Sequence, residues 1–328
     1  MGRAAIIIDA DNVCKRGIMA TAKSDLEAGV WNGGIYNSLS LIAKSLAFPD
    51  YRPGAVFAVF DDGIPAFRLH LCPTYKSDRK EKQKKSFLSP EQRREAYKQV
   101  GHVREILEAM GVVCISFPRH EADDVIAALA RRLSDQRTIV MSNDKDLWQL
   151  MDRELGGVAI LDPGTGKLRH DEEMFEAIGV RPELYLVYKV LIGDSSDGVP
   201  GAAQVGPGRA AAMVEAAKDA LLDEPRSDRL ARFIQLVTET FKDDPKPPKY
   251  VTSIVDGSKE LLKAQDVVDI SDTFSERRYG KALDALIQKR TYFNDTRVMS
   301  LCHKYKIGVG TEAVSRISRL MKQVTEGR

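Results

Sequence analysis

Nine carboxylates fall in short clusters between residues 9 and 197: Asp9, Asp61, then Glu121, Asp123 and Asp124 in HEADD, Asp144 and Asp146 in SNDKD, and Asp194 and Asp197 in GDSSD. On a helix, residues three apart share a face, so Glu121 with Asp124, and Asp194 with Asp197, can each act as a pair. Anions gathered in one crevice repel one another unless cations neutralise them. An all-oxygen donor set selects hard ions, Mg²⁺ with Mn²⁺ able to substitute, over zinc. Two such ions about 4 Å apart polarise a phosphodiester, lower the pKa of a bound water and stabilise the leaving oxyanion, which is phosphodiester hydrolysis. Any one acid alone is equally a helix N-cap or a solvated turn residue; the ordered set is not so explained. Asp11 and Asp62 are close neighbours that this reading leaves out of the ligand set.

Two further segments bear on phosphate. Residues 75–86, YKSDRKEKQKKS, carry six basic side chains (Lys76, Arg79, Lys80, Lys82, Lys84 and Lys85) against two acids. Such a patch binds a phosphate backbone through counterion release, although a charge run is also simply a solvated face. Residues 198–209, GVPGAAQVGPGR, place Gly201, Gly206 and Gly208 where a chain turns tightly and exposes backbone N–H groups, with Arg209 at the end. That is how a hairpin holds phosphates without reading bases. Other residues point to packing or surface instead: His120 is a lone His beside acids, Trp31 and Trp148 supply core bulk, and Ser195 and Ser196 have no His partner in sight.

The elements that must position these groups follow from patterning. Short apolar runs at 4–8, 55–60, 112–116 and 138–141 read as buried strands, the first two ending in acid, with helix-like stretches near 35–46, 91–110 and 121–133 between them. This alternation predicts an α/β fold with a mainly parallel sheet, whose ligand crevice lies beyond the carboxyl ends of the strands. After about residue 170 the pattern turns helical, at 172–178, 182–192, 209–220 and 228–241, and Pro245, Pro247 and Pro248 mark a surface loop. With 328 residues at 43% hydrophobic composition, the chain can bury a sizeable core. Its 49 Lys and Arg against 47 Asp and Glu give no global nucleic-acid signature, so that signal must be local. Cys14, Cys72, Cys114 and Cys302 form no CxxC pair, which argues against structural zinc or a disulfide framework and for a reducing cytoplasm. No apolar run is long enough to span a bilayer, and residues 1–9 are too short for a signal peptide.

The motifs IIIDADN, VFDDGIPAFR, YKSDR, EADD, SNDKD and GDSSDGVPGAAQVGPGRAA, in this order across residues 4–217, resemble the 5′ nucleases. That family comprises phage 5′→3′ exonucleases, the amino-terminal nuclease domains of bacterial DNA polymerase I, and flap endonucleases. The resemblance implies a PIN-like or resolvase-like core over residues 1–170, with a helical arch at about 74–110. It also implies a helical region over 171–328, with a helix-hairpin DNA clamp at about 182–217 and a C-terminal extension. It assigns Asp9, Asp61, Glu121, Asp123 and Asp124 to a first metal cluster and Asp144, Asp146, Asp194 and Asp197 to a second. Asp124 and Asp146 are expected to bridge or act through water. It makes Lys76 the catalytic lysine beside Asp9 and Asp61, Tyr75 a base-stacking residue, Arg79 a phosphate contact and Arg16 a gateway residue, and places K⁺ at the hairpin. Two departures stand out: Ala10 where Gly is usual, and Gln204-Val205 in place of the usual hairpin Ile. Beyond 220 the likeness thins to YFNDTRVMSL near 292–301, and 220–290 stay unassigned.

The implied activity is 5′→3′ exonuclease and flap endonuclease cleavage of DNA, in primer removal, replication or repair. Expected substrates are 5′ ends, flaps, junctions and RNA/DNA hybrids, with a polymerase or single-strand binding protein as partner. A cytoplasmic monomer, in a bacterium or a phage-infected host, is the corresponding expectation. Three other readings compete: a catalytically silent scaffold for branched DNA, a PIN-like RNA nuclease, and a haloacid dehalogenase-like phosphatase using Asp9 of the Asp-x-Asp pair, which explains only two acids.

Overall fold

The structure is a computed structural model describing residues 2–77, 86–195, 197–308 and 311–326. Six strands form one sheet in the order β3-β2-β1-β4-β5-β6. They are β1 (Arg3–Asp9), β2 (Arg52–Val59), β3 (Val113–Ile115), β4 (Thr138–Met141), β5 (Ala159–Leu161) and β6 (Leu168–Arg169). All neighbours run parallel except β5 and β6, which are antiparallel. The sequence places the first four strands to within a few residues; β5 and β6 are too short to stand out.

β1 is the central strand, and its run of Ala and Ile is buried on both faces. Ala5 and Ile7 join the core on one side, and Ala4, Ile6 and Ile8 join it on the other. This two-residue alternation is what a strand covered on both faces requires. The register aligns Asp9 with Val59 and Ile8 with Met141, so β1, β2 and β4 finish level with one another. From β1 the chain builds outward to β2 and β3, then crosses back to β4 on the other side of β1. Such a reversal of strand order opens a crevice at the carboxyl ends.

Local chemistry fixes the helices beside that crevice. Asp9 caps the helix Ala10–Ala28 by accepting from the Asn12 N–H at 3.1 Å, and Gly29 ends it in the left-handed region. The helix Pro90–Ala109 starts with a Ser89–Gln92 capping box and Pro at its first turn. At the start of the helix Ala122–Arg132, the Asp124 carboxylate accepts from the Glu121 N–H at 3.0 Å.

The hydrophobic interior does not divide at residue 170. One core runs from Ala5 and Phe57 through the helices Tyr185–Ile192, Arg229–Phe241 and Ser258–Val268 as far as Leu283. On the opposite face of the sheet, Val298, Leu301, Ile317 and Met321 pack with Ile6, Ile8, Ile35 and Leu39. The C-terminal helix Glu312–Glu326 packs on the helix Gly33–Leu46 and reaches β2, and Asp295–Lys304 packs on Pro90–Ala109.

Candidate active site

A cleft of about 850 Å³ opens at the carboxyl ends of β1, β2 and β4 and is lined by eight of the nine carboxylates: Asp9, Asp61, Glu121, Asp123, Asp144, Asp146, Asp194 and Asp197. Lys15, Lys76, Lys189 and Asp11 line it as well. Asp9 ends β1, Asp61 and Asp144 follow β2 and β4, Glu121 and Asp123 open the helix after β3, and Asp194 and Asp197 lie in the turn after the helix Tyr185–Ile192.

Asp9 is 7% exposed; it accepts from the Asn12 N–H and from the Ser142 hydroxyl at 2.8 Å. Burial, together with the charges of Asp144 and Asp61 and against its hydrogen bonds, pushes it up to about 7. Asp123 is raised well above the usual carboxylate range by burial and by Glu121. Asp61 would rise through burial, but Lys15 at 3.1 Å and the Ala122 N–H at 2.9 Å hold it below its usual value.

The second cluster is tighter. Asp146, Asp194 and Asp197 each offer a carboxylate oxygen within 4.8 Å of the others. Three hard oxygen donors so placed fit a divalent cation. The turn that carries two of them closes on itself: Asp194 and Val199 exchange backbone hydrogen bonds of 2.7 and 2.9 Å. Gly193, at φ +70°, packs so close to Gly201 that a Cβ would lie 2.3 Å from the Gly201 nitrogen.

Lys76 links the clusters. Its backbone sits at φ +57° and donates its N–H to the Asp197 carbonyl, while its ammonium pairs with Glu121 and lies 4.0 Å from Asp197.

Three of the expected residues lie outside the cleft lining. Asp124 is fully buried away from the cleft and pairs with Arg68, whose Nη2 donates to it at 2.7 Å. Arg68 Nη1 also donates to Glu121 at 2.7 Å, so one buried guanidinium joins Asp124 to a cleft residue. Tyr75 is 6% exposed and donates its hydroxyl to Glu121 at 3.0 Å, leaving no open ring face for a base. Arg16 is exposed but turns toward Gly164 in the β5–β6 turn, outside the cleft lining.

Of the hairpin residues, Gly201 forms the close turn with Gly193, whereas Gly206, Gly208 and Arg209 are exposed at the start of the helix Pro207–Ala216. Arg209 stacks over the Tyr250 ring at 4.6 Å and donates to the Gln204 carbonyl. Arg79, Lys80, Lys82, Lys84 and Lys85 lie outside the described residues.

Sequence reasoning missed Lys15, Arg68, Ser142 and Lys189, and set Asp11 aside. Asp11 accepts the Asp61 N–H at 2.8 Å and lies 3.7 Å from Lys15. The only signal for the Asp11–Lys15 pair was its four-residue spacing. Lys189, one cation in an apolar helix, was a legible anomaly.

Residues 4–179 match the family described as 5′-3′ exonuclease, N-terminal resolvase-like domain, and the chain belongs to that family. Relatives include the thermostable DNA polymerase I of Thermus thermophilus, 29% identical over 203 residues, 61% of this chain and 22% of the polymerase. A 5′-3′ exonuclease of Buchnera aphidicola is 28% identical over 177 residues, 53% of this chain and 57% of that one. The match thus spans well under two thirds of either relative. Among solved structures, the T5 5′-exonuclease with divalent zinc ions bound aligns with a TM-score of 0.62 at 18% identity, over 92% of this chain and 99% of that one. A pseudo-enzyme-product complex of the T5 D15 flap endonuclease with DNA and metal ions aligns at 0.61 and 18%, over 93% and 100%. At such identity the likeness establishes a shared fold, here a mostly parallel sheet flanked by helices.

Proposed function

We propose that this chain is a structure-specific 5′ nuclease that hydrolyses DNA phosphodiesters near 5′ ends and junctions, with exonuclease and flap endonuclease activity. The observation that carries the reading is the convergence of eight carboxylates and Lys76 in one cleft at the strand-order reversal. The family, and T5 relatives of the same fold that hold divalent ions and DNA, point the same way.

Two Mg²⁺ ions fit the donor chemistry: Asp9, Asp61, Glu121 and Asp123 on one side, and Asp144, Asp146, Asp194 and Asp197 on the other. When bound, they supply an activated water and stabilise the leaving oxyanion. The remaining work falls to the chain. Asp9, raised toward neutrality, releases its proton as the cleft gains positive charge. Lys76, at the boundary of the clusters, places its ammonium where a scissile phosphate gains charge. Arg68 and Tyr75 hold Glu121 from behind. Gly206, Gly208 and Arg209 present exposed backbone and charge to duplex phosphates, and a K⁺ held by carbonyls of the 198–209 hairpin is part of the same reading. Primer removal in replication or repair, with a polymerase or single-strand binding protein nearby, is the corresponding role.

The test compares cleavage of 5′-flap, blunt and single-stranded DNA of one sequence in Mg²⁺. Cutting of the flap at its junction, leaving a 5′-phosphate on the duplex, is the expected result. Tight flap binding without any cut would favour a silent DNA-binding scaffold.

A further inference from the structure

Lys189 lies in the helix Tyr185–Ile192, whose remaining residues are Tyr, Leu, Val and Ile. Its side chain is 10% exposed, and its ammonium reaches 2.5 Å from Asp146 and 2.7 Å from Asp194. These are two of the three carboxylates whose oxygens close to within 4.8 Å. A fixed cation thus sits on two of the donor carboxylates that a divalent ion at this position needs.

Resting on the nuclease reading above, we propose that Lys189 is a built-in counter-ion of the second cluster, competing with a divalent cation for Asp146 and Asp194 and keeping that position weakly metallated until substrate arrives. The ammonium is held between the two carboxylates, paired with both at once. It therefore serves the metal-free protein by neutralising a site that would otherwise repel itself and open the 193–199 turn. A DNA phosphate brings further negative charge and the oxygen ligands that Mg²⁺ takes beside carboxylates, and tips the competition toward the metal. Metallation at this position is thereby linked to the presence of a phosphodiester, whereas at the first cluster Lys15 pairs with Asp61 and Lys76 with Glu121, one carboxylate each.

The test is a Mn²⁺ titration of DNA-free protein, with free ion followed by electron paramagnetic resonance, on wild type, Lys189→Met and Lys189→Gln. Asp194→Asn identifies which binding class belongs to the second cluster. Wild type should show one tighter and one weaker class. Both Lys189 variants should tighten the weaker class at least tenfold, unfold at a lower temperature in EDTA, and gain more from added Mn²⁺. A weaker class that is unchanged or weakened in a variant with a cooperative melt overturns the proposal. If wild type binds no Mn²⁺ at all, the metal-dependent reading fails first and this one falls with it.

Discussion

The backbone N–H of Lys76 donates to the carbonyl oxygen of Asp197 at 3.1 Å, tying the start of the basic segment to the turn that carries the second carboxylate cluster. Because the same residue's ammonium pairs with Glu121, one side chain and its own amide span both halves of the cleft. The left-handed backbone of Lys76 is the local cost of that arrangement, on the order of 1 kcal/mol or more for a residue with a Cβ.

Lys76→Ala is expected to lose cleavage by orders of magnitude while still binding flap DNA. Lys76→Gly keeps the side chain absent but accepts φ +57° freely. The two variants should therefore be equally inactive in single-turnover cleavage, with the Gly variant at least as stable. Wild-type-like turnover in either would remove Lys76 from the chemistry.

Arg68→Met should destabilise by about 3–5 kcal/mol, because it leaves Asp124 buried without its cation and Glu121 with Lys76 alone. Chemical denaturation measures this. Adding Asp124→Asn should recover part of the loss, whereas an additive double variant would mean the pair does not act as a unit.

The crevice was legible in the sequence, but the contacts behind it were not. Strands ending in acid located the crevice because a short continuous apolar run followed by Asp is a local pattern. Arg68 was invisible because its partners lie 53 and 56 residues away and its carbonyl acceptor, Val267, lies 199 residues away. Tyr75 and Asp124 were placed in the right motifs but given outward roles; only packing reveals that both face inward onto Glu121 and Arg68. The C-terminal helices lacked any signal that they return to the face of β1, since amphipathic spacing says that a stripe is buried and not against what.

Metal-free stability should fall as pH rises from about 4 to about 7. Asp9 holds a proton up to about 7 when folded, but releases it near 3.8 when unfolded. Between those values the folded state binds more protons, so the slope of unfolding free energy with pH is negative. At roughly 1.36 kcal/mol per pKa unit, the upper limit is on the order of 4 kcal/mol. Thermal melts in EDTA should show this decline in wild type and a flatter profile in Asp9→Asn; identical profiles would contradict it.

Gly198→Ala should cost about 1–3 kcal/mol and reduce cleavage together. Gly198 sits at φ +74°, and a Cβ there would lie 2.9 Å from the Thr74 carbonyl, in the turn that leads to Lys76. Melting and single-turnover cleavage of the same preparation measure both effects. A destabilised variant with unchanged cleavage would uncouple the hairpin turn from Lys76.

Cleavage of a labelled 5′-flap duplex by wild type and by Asp9→Ala, each in Mg²⁺ and in EDTA, tests the carboxylate centre most directly. Junction cleavage by wild type in Mg²⁺ alone, lost in EDTA and lost in Asp9→Ala, is the expected result. Cleavage that persists in EDTA or in the variant would contradict a carboxylate-held metal centre as the seat of catalysis.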